Sequence, residues 1–229
     1  MTDHVIPPPP RPELTVAGQT ATFPLRRVFC VGRNYAAHAL EMGKDPEREP
    51  PFFFCKPADA VVPAQGTLPY PPLTGDLHHE VELVLAIGQG GADIPAAEAM
   101  SHVWGATVGL DLTRRDLQAE AKNLGRPWDW GKSFDAAAPC APLRPLAELP
   151  ALDSGRIWLQ VNGELRQEGN LDELIWKLDE VIALCSQSVR LQPGDLIFTG
   201  TPAGVGAINA GDRVDAGIDG IAELSVTIA

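Results

Sequence analysis

Positively charged residues are scarce in this chain of 229 residues. Lysine and arginine together number 18 against 30 aspartate and glutamate residues, which gives a formal net charge of -12. Because nucleic acids are bound through clusters of cations, this balance argues against a nucleic acid as the main partner. It also provides no long-range attraction for an anionic substrate, so we expect local cations to hold any acid that binds.

Paired cysteines and long apolar runs are also missing, and we expect no secretory signal. No apolar run reaches the roughly 20 residues of a membrane span. Residues 1–12 are polar and rich in proline, without a basic start or an apolar stretch, and we expect an extended arm or a disordered tail there. We predict buried free thiols in a reducing cytoplasm for the four unpaired cysteines, Cys30, Cys55, Cys140 and Cys185.

The most informative stretch is a predicted β-strand at residues 81–87, rich in valine, leucine and isoleucine, with carboxylates at Glu80 and Glu82. Residues i and i+2 of a strand share a face, so these two charges would repel each other. Such a buried pair requires a shared proton or a cation between the carboxylates. The alternative, which the pair alone favours, is a strand edge with both glutamates in water.

A third carboxylate favours a bound cation over glutamates exposed to water. Asp111 follows a second apolar run at residues 103–110, and no cysteine or histidine motif accompanies the three acids. Three oxygen donors from two neighbouring strands suit one hard divalent cation, Mg²⁺ or Mn²⁺, and leave positions for substrate and water. The adjacent His78 and His79 would face opposite ways on a strand, so we expect structural roles for both.

Two further segments carry candidate acid–base chemistry and a candidate lid. His38 and Glu41 share one face of a predicted helix at residues 36–42, an arrangement in which the carboxylate can orient a general base. From spacing alone, an exposed helix pair of little energetic value is the favoured alternative. Residues 44–51 are charged and contain prolines, so we expect a loop that could close over a site.

Polar residues near the third carboxylate suggest ligand contacts. Arg115 and Gln118 lie on one face of a predicted helix at residues 112–122, either reaching a ligand on the metal or exposed to solvent. Lys132 stands among aromatic residues, either snorkelling or acting as a functional cation. The glycine-rich loop at residues 200–206 lacks the pattern of a phosphate loop, but its amides and the Thr201 hydroxyl can hold a carboxylate.

The remaining elements are mostly strands. We predict strands at residues 28–32, 52–55, 196–199 and 224–228, with residues 52–55 buried. The dipeptide Asn162-Gly163 predicts a tight hairpin between residues 157–161 and 164–167. Asn170 and Glu173 resemble a capping box, and apolar residues from Leu171 to Cys185 follow one helical face.

Seven segments, taken in order, resemble the fumarylacetoacetate hydrolase family. The resemblance runs from about residue 28 to the C-terminus, and REPPFFFCKPADAVVP (48–63) is most similar to the fumarylpyruvate hydrolases. The segments are CVGRNYAAHALEMG (30–43), FFFCKPADAVV (52–62), LHHEVELVLAIG (77–88), GLDLTRRDLQ (109–118), GKSFDAAAP (131–139), VNGELRQ (161–167) and PGDLIFTGTPAGVG (193–206).

The resemblance implies a role for each matching position. The metal ligands fall on Glu80, Glu82 and Asp111, the water-activating pair on His38 and Glu41, the oxyanion lysine on Lys132, and the substrate contacts on Arg33, Arg115, Gln118 and Thr201. Arg114 stands where the family usually has a small residue, and we expect it to add a cation near the site. The implied fold is mixed α+β, predominantly β, a mixed β-roll or barrel with peripheral helices.

The implied activity is metal-dependent hydrolysis of the carbon–carbon bond of a 2,4-dioxo acid. The expected reaction converts fumarylpyruvate to fumarate and pyruvate in gentisate catabolism, with one Mg²⁺ or Mn²⁺ per site. A cytoplasmic homodimer is expected, with an arm at residues 1–27 and one catalytic domain at residues 28–229. Candidate cations for the far carboxylate are Arg33, Arg114 and Arg126. The alternatives are oxaloacetate decarboxylation, isomerisation or decarboxylation of oxo-dienoates, and a catalytically silent scaffold.

Overall fold

A computed structural model describes residues 4–37 and 50–229, and strands dominate it. The strands are β1 (Glu13–Thr15), β2 (Thr22–Pro24), β3 (Arg27–Gly32), β4 (Phe52–Lys56), β5 (Val61–Pro63), β6 (Thr67–Leu68), β7 (Leu77–His79), β8 (Val81–Ile87), β9 (Val103–Leu110), β10 (Thr113–Arg114), β11 (Ala138–Cys140), β12 (Arg144–Pro145), β13 (Arg156–Val161), β14 (Glu164–Asn170), β15 (Asp195–Phe198), β16 (Gly206–Ile208), β17 (Arg213–Ile218) and β18 (Ala222–Ile228). This confirms the predominantly β fold.

The helices of the described residues are short and few. They are α1 (Ala96–Ala99), α2 (Arg115–Leu124), α3 (Asp129–Lys132) and α4 (Leu178–Ser188), with 3₁₀ turns at Ala58–Ala60, Met100–His102, Leu146–Glu148 and Leu171–Glu173. Among these residues, no helix is long and apolar enough to cross a membrane.

Two large sheets build the core. The eight-stranded sheet has the order β4-β3-β15-β8-β9-β11-β5, with β12 also paired to β9, and the five-stranded sheet has the order β14-β13-β17-β18-β6. Strands β10, β7 and β16 form a third sheet, and β1 pairs with β2. The side chains of β13, β17 and β18 pack with those of β8 and β9 in one apolar cluster, so the two large sheets lie face to face.

Strand β8 is buried on both faces, which explains its nearly continuous apolar sequence. Its odd-numbered residues, such as Leu83 and Leu85, enter the cluster between the two large sheets. Its even-numbered residues Val84 and Ala86 enter a second cluster, to which β1 and β2 contribute Leu14 and Phe23. Glu80 and Glu82 therefore lie at the end of the second face, in line with Val84 and Ala86.

The hairpin prediction is confirmed at its turn. Asn162 and Gly163 both have positive φ angles, 53° and 81°, as a two-residue turn of type I′ requires. Strand β13 pairs with β14 across this turn.

The predicted helix at residues 112–122 begins too early. Thr113 and Arg114 instead pair with β7, and the Leu112 amide donates to the Ala137 carbonyl, so the helix begins at Arg115. Pairing with β7 and the hydrogen bond between Leu112 and Ala137 hold this segment extended, and the sequence pattern gives no sign of either contact.

The prediction of one continuous helix from Leu171 is also wrong. The capping box between Asn170 and Glu173 is present, but it starts only a 3₁₀ turn. The Ile175 amide donates to the Asn34 carbonyl and the Trp176 amide to Asn34 Oδ1, so both are diverted from helical partners. The α-helix therefore begins at Leu178.

Strand β4 differs from the expectation of a buried strand. It lies at one end of the eight-stranded sheet as described, its phenylalanines are only half-buried, and Cys55 is exposed. The expectation of a buried thiol is thus wrong for Cys55 and confirmed for Cys30, Cys140 and Cys185.

Candidate active site

The register of two strands brings three carboxylates together. Strands β8 and β9 are antiparallel, with Glu82 opposite Gly109, and the Asp111 amide donates to the Glu80 carbonyl at 2.8 Å. Asp111 is therefore the cross-strand neighbour of Glu80, and Glu80 shares a face with Glu82. We call Glu80, Glu82 and Asp111 the carboxylate cluster.

Burial makes this cluster electrostatically costly. All three residues are buried, and ligand atoms from each lie within 4.8 Å of one another, so the alternative of solvated glutamates is wrong. Desolvation and the charges of Asp111 and Glu80 raise the pKa of Glu82 well above its usual value. A cation is therefore needed to keep all three groups ionised.

One backbone amide partly compensates Glu82. The Gly200 amide donates to Glu82 Oε2 at 2.7 Å, from a residue with φ of 105°. A Cβ at this position would lie 2.7 Å from Asn34 Cβ, so both the conformation and the close approach favour glycine. The glycine-rich loop thus binds one of the protein's own carboxylates.

Two buried lysines supply positive charge. Lys132 Nζ lies 2.7 Å from Glu80 Oε2 and 2.6 Å from Asp111 Oδ2. Although burial alone lowers the pKa of Lys132, the charges of Asp111 and Glu80 hold it above its usual value. Lys56 Nζ lies 2.8 Å from Asp111 Oδ1 and donates to the carbonyls of Leu112 and Lys132. Lys132 is thus a cation of the site rather than a snorkelling side chain.

Sequence reasoning missed Lys56. The strand predicted at residues 52–55 ends just before it, and the sole signal for a function is a lysine that directly follows an apolar run. Its ammonium group makes three close contacts with oxygens, so it holds Asp111 and the backbone beside Lys132 in place.

The donor set of the carboxylate cluster fits a hard divalent cation. Asp111 Oδ1 is buried and, within the described residues, has no hydrogen bond, because its contact with Lys56 lacks hydrogen-bond geometry. Beside its ion pair with Lys56, this oxygen keeps a second lone pair for a cation. Carboxylate oxygens are the ligands that Mg²⁺ and Mn²⁺ prefer. The predicted group of metal ligands is confirmed as one that can hold such an ion.

The predicted site residues of the described chain converge on one cavity. Its lining includes Arg33, Glu80, Glu82, Asp111, Arg115, Gln118, Lys132 and Thr201. The catalytic and substrate-binding roles of these residues stay predictions. His38, Glu41 and residues 44–49 of the candidate lid lie outside the described residues.

Arg115 and Gln118 act as one unit. Arg115 Nη2 lies 2.5 Å from Glu80 Oε1, and Arg115 Nη1 donates to Gln118 Oε1 at 2.6 Å. Because the oxygen of the Gln118 amide accepts from Arg115, its NH₂ group remains a donor for the cavity. The alternative of solvent exposure is wrong for Gln118, which is buried, while Arg115 is half-buried.

A buried amide, Gln167, orients the hydroxyl of Thr201. Gln167 Nε2 donates to the Pro202 carbonyl, and Gln167 Oε1 accepts from the Val81 amide, so the two ends of the amide are assigned. The same Nε2 donates to Thr201 Oγ1 at 2.8 Å. The Thr201 hydroxyl hydrogen is therefore free to point elsewhere, and Thr201 lines the cavity.

The two adjacent histidines form hydrogen bonds with residues that line or support the cavity. His79 Nδ1 lies 2.9 Å from Gln167 Oε1 and must donate to it, while burial lowers the pKa of His79 to about 4. A neutral His79 thus completes the Gln167 network. His78 Nδ1 accepts from Arg115 Nε at 3.3 Å. Neither histidine belongs to the carboxylate cluster, in agreement with the expected structural roles.

The outer part of the cavity holds two cations and two aromatic rings. We call Arg33, Phe52, Lys122 and Trp128 the outer rim; all four line the cavity and are half-buried. Sequence reasoning included Arg33 but missed Lys122, which lies one helical turn beyond Gln118 on α2.

Arg114 does not supply the expected cation. It is buried, with its guanidinium carbon 4.4 Å from the centre of the Phe134 ring, and it is not part of the cavity lining. Arg114 and Arg115 are consecutive residues, so their side chains leave the backbone in different directions. Arg126 is exposed and lies in neighbouring grooves instead.

Comparison with known proteins agrees with this geometry. The family model for the C-terminal region of fumarylacetoacetate hydrolase matches residues 27–229. A fumarylpyruvate hydrolase of Ralstonia sp. is 45% identical over 184 residues, covering 80% of this chain and 95% of the relative. A mitochondrial oxaloacetate tautomerase of Rattus norvegicus is 42% identical over 199 residues, covering 87% and 90%.

A solved structure gives the same result. The crystal structure of fumarylpyruvate hydrolase from Pseudomonas aeruginosa in complex with Mn²⁺ and pyruvate matches with a TM-score of 0.97 and 55% identity. The match covers 99% of each chain.

Proposed function

Since this chain belongs to the fumarylacetoacetate hydrolase family, we propose that it hydrolyses the C3–C4 bond of a 2,4-dioxo acid. The proposed substrate is fumarylpyruvate, and the products are fumarate and pyruvate, as in gentisate catabolism. One observation carries the proposal: a single cavity joins three buried carboxylates to Arg115, Gln118, Thr201 and Lys132, which can donate to an anionic substrate.

The relatives support this substrate. Both the Ralstonia and the Pseudomonas proteins are named fumarylpyruvate hydrolases, and the Pseudomonas crystal contains Mn²⁺ and pyruvate, which is one of the proposed products. We assign Mg²⁺ or Mn²⁺ to the carboxylate cluster. When bound there, the ion supplies Lewis acidity to oxygens of the substrate.

Three side chains would orient the pyruvate end of the substrate. The Gln118 NH₂ group and the Thr201 hydroxyl are donors whose orientation is fixed by Arg115 and Gln167, respectively. Arg115 adds a positive charge. Together they suit the adjacent carboxylate and 2-oxo oxygens of a 2,4-dioxo acid, and they hold it in one orientation.

The resemblance supplies the base and the oxyanion donor. His38, oriented by Glu41, would take a proton from water, and the resulting hydroxide would attack C4. Lys132 would donate to the oxyanion, a role worth about 2.7–4 kcal/mol per donor. The C3–C4 bond then breaks with its electron pair on C3, which takes up a proton to give pyruvate, while C4 becomes a carboxylate of fumarate.

Turnover assays test the proposal. The absorbance of fumarylpyruvate and of acetylpyruvate would be followed with Mg²⁺ or Mn²⁺ and again with EDTA, with pyruvate quantified as a product. We expect metal-dependent loss of absorbance, one pyruvate per substrate consumed, and a preference for fumarylpyruvate. Failure to release pyruvate from either substrate, or full activity in EDTA, would contradict the proposal.

A second candidate reaction has specific support. The rat relative is named an oxaloacetate tautomerase, and oxaloacetate is also a 2-oxo acid that could use the same donors. Accelerated keto–enol exchange of oxaloacetate without release of pyruvate from a 2,4-dioxo acid would favour tautomerisation. Formation of CO₂ from oxaloacetate would favour decarboxylation instead.

The proposal also includes a homodimer and a cytoplasmic location. It divides the chain into an arm at residues 1–27 and one catalytic domain at residues 28–229. Light scattering of the purified protein tests the dimer. Removal of residues 1–27 tests the domain division. A remainder that keeps its turnover would support the division, and unfolding through the loss of Leu14 and Phe23 from the second apolar cluster would contradict it.

A further inference from the structure

The cavity contains more cations than its carboxylates occupy. Of its four lining cations, Arg115 and Lys132 form ion pairs with Glu80, and Lys132 also contacts Asp111. Within residues 4–37 and 50–229, neither Arg33 nor Lys122 forms an ion pair. The outer rim thus offers positive charge that the described protein leaves uncompensated.

Two aromatic rings connect these two cations. Lys122 Nζ lies 5.0 Å from the centre of the Trp128 ring, and Arg33 Cζ lies 5.4 Å from the centre of the Phe52 ring. The two rings meet edge to face, with centres 5.2 Å apart and planes at 89°. The result is an apolar wall with a cation against each of its rings.

The surroundings of Lys122 favour the binding of an anion. Burial, with the neighbouring positive charges of Arg115 and Arg33, lowers the pKa of Lys122 to about 8. The charged form is thus disfavoured in the ligand-free cavity, and a bound carboxylate would favour it.

We infer that Lys122, together with Arg33, binds the carboxylate at the far end of the acyl group and makes the site selective for acyl groups that end in a carboxylate. This inference rests on the proposed function. Arg114 does not line the cavity, and Arg126 lies in an adjoining groove, where it is paired with Glu120. The rings of Phe52 and Trp128 suit the flat, unsaturated carbons that separate the two ends of such an acid.

Charge removal at Lys122 tests the inference. Lys122→Met keeps a flexible chain against Trp128, and Lys122→Arg keeps the charge. Arg126→Met is the matched control, since it removes an exposed positive charge nearby. We expect Lys122→Met to lower the ratio of kcat/KM for fumarylpyruvate over acetylpyruvate at least about ten-fold, with Lys122→Arg and Arg126→Met close to the wild-type ratio.

Two kinetic outcomes would overturn the inference. If Lys122→Met lowers kcat/KM for both substrates equally, Lys122 has a structural or general role. If Arg126→Met changes the ratio as much as Lys122→Met, the effect is one of overall charge. Thermal unfolding of each variant verifies that the fold is kept.

A binding measurement separates this inference from the proposed reaction. Fumarate and crotonate differ by one carboxylate, and calorimetric titration with each requires no turnover. We expect the wild-type protein to bind fumarate more tightly than crotonate, and Lys122→Met to lose most of this difference. Equal binding of both acids by the wild type, or an unchanged difference in Lys122→Met, would overturn the inference even if fumarylpyruvate is hydrolysed.

Discussion

The inner and outer parts of one cavity are built in opposite ways. Inside, the carboxylate cluster and the two lysines are buried. Lys132 contacts Glu80 and Asp111, Lys56 contacts Asp111, and Glu82 accepts from the Gly200 amide. Outside, Arg33 and Lys122 are half-buried and contact aromatic rings. Under the proposed function, the inner part carries the charge on which the chemistry depends, and we expect changes in the outer part to alter ligand preference without disturbing that charge.

This difference has an energetic side. Removing one member of a buried charge pair commonly costs about 3–5 kcal/mol, because the remaining charge is left without compensation. Within the described residues, the half-buried Lys122 forms no ion pair, so its removal leaves no buried charge without compensation. Substitutions inside should therefore affect every substrate, and some should affect folding, whereas substitutions on the outer rim should affect the choice between substrates.

The largest effect is expected for Glu82→Gln. The amide keeps an oxygen to accept from the Gly200 amide but removes a metal ligand, so turnover of every substrate should fall roughly a thousand-fold. Because burial and the neighbouring acids disfavour a charged Glu82, the metal-free variant should unfold at a temperature no lower than that of the wild type. Kinetics and calorimetry measure the two effects.

Glu120→Gln is the matched control, since Glu120 is exposed and contacts only Arg126, at 3.8 Å. It should leave both turnover and unfolding close to wild type. A Glu82→Gln protein that retains turnover, or one that loses activity only because it unfolds, would remove the contrast between the two parts of the cavity.

An intermediate effect is expected for Lys132→Met. Loss of an oxyanion donor should lower kcat about 10²–10³-fold for fumarylpyruvate and acetylpyruvate alike. Mn²⁺ should bind no more weakly, because the ammonium group no longer competes for oxygens of Glu80 and Asp111. Steady-state kinetics with Mn²⁺ titrations check this, and a change in substrate ratio without a change in kcat would reassign Lys132 to selectivity.

The smallest effect is a pH dependence of selectivity. The pKa of Lys122 is lowered to about 8, so its charge is present below pH 8 and is lost above it. The preference for fumarylpyruvate over acetylpyruvate in kcat/KM should thus fall a few-fold as pH rises through about 8. The charged groups that act on Lys122 are Arg115, Arg33, Glu80 and Lys132. Lys122→Arg should keep the preference across this range, and the same decline in that variant would assign it to another group.

Sequence pattern predicted the carboxylate cluster of the inner cavity better than the contacts that support it. Strand β8 and the positions of Glu80, Glu82 and Asp111 follow from period-two alternation and from two apolar runs of similar length. Local surroundings made Lys132 and Thr201 candidates and the resemblance added Arg33, and all three line the cavity. Local pattern was thus sufficient wherever neighbouring strands alone bring the residues together.

The missed features depend on long-range contacts. Lys56 contacts Asp111, which lies in a distant part of the chain, and Gln167 reaches Thr201 across 34 positions. Asn34 interrupts the helix predicted after Leu174 through hydrogen bonds from residues more than 140 positions away. No local period encodes such contacts, so sequence pattern could identify neither the supporting lysine nor the break in the helix.

A calorimetric titration of Mn²⁺ into the metal-free protein and into Glu82→Gln tests the metal assignment most directly. We predict that the wild type binds one ion per chain through Glu80, Glu82 and Asp111 and that Glu82→Gln, still folded, loses this binding. Equal Mn²⁺ binding by the two proteins would show that the ion lies elsewhere, and the carboxylate cluster would then not be the metal centre.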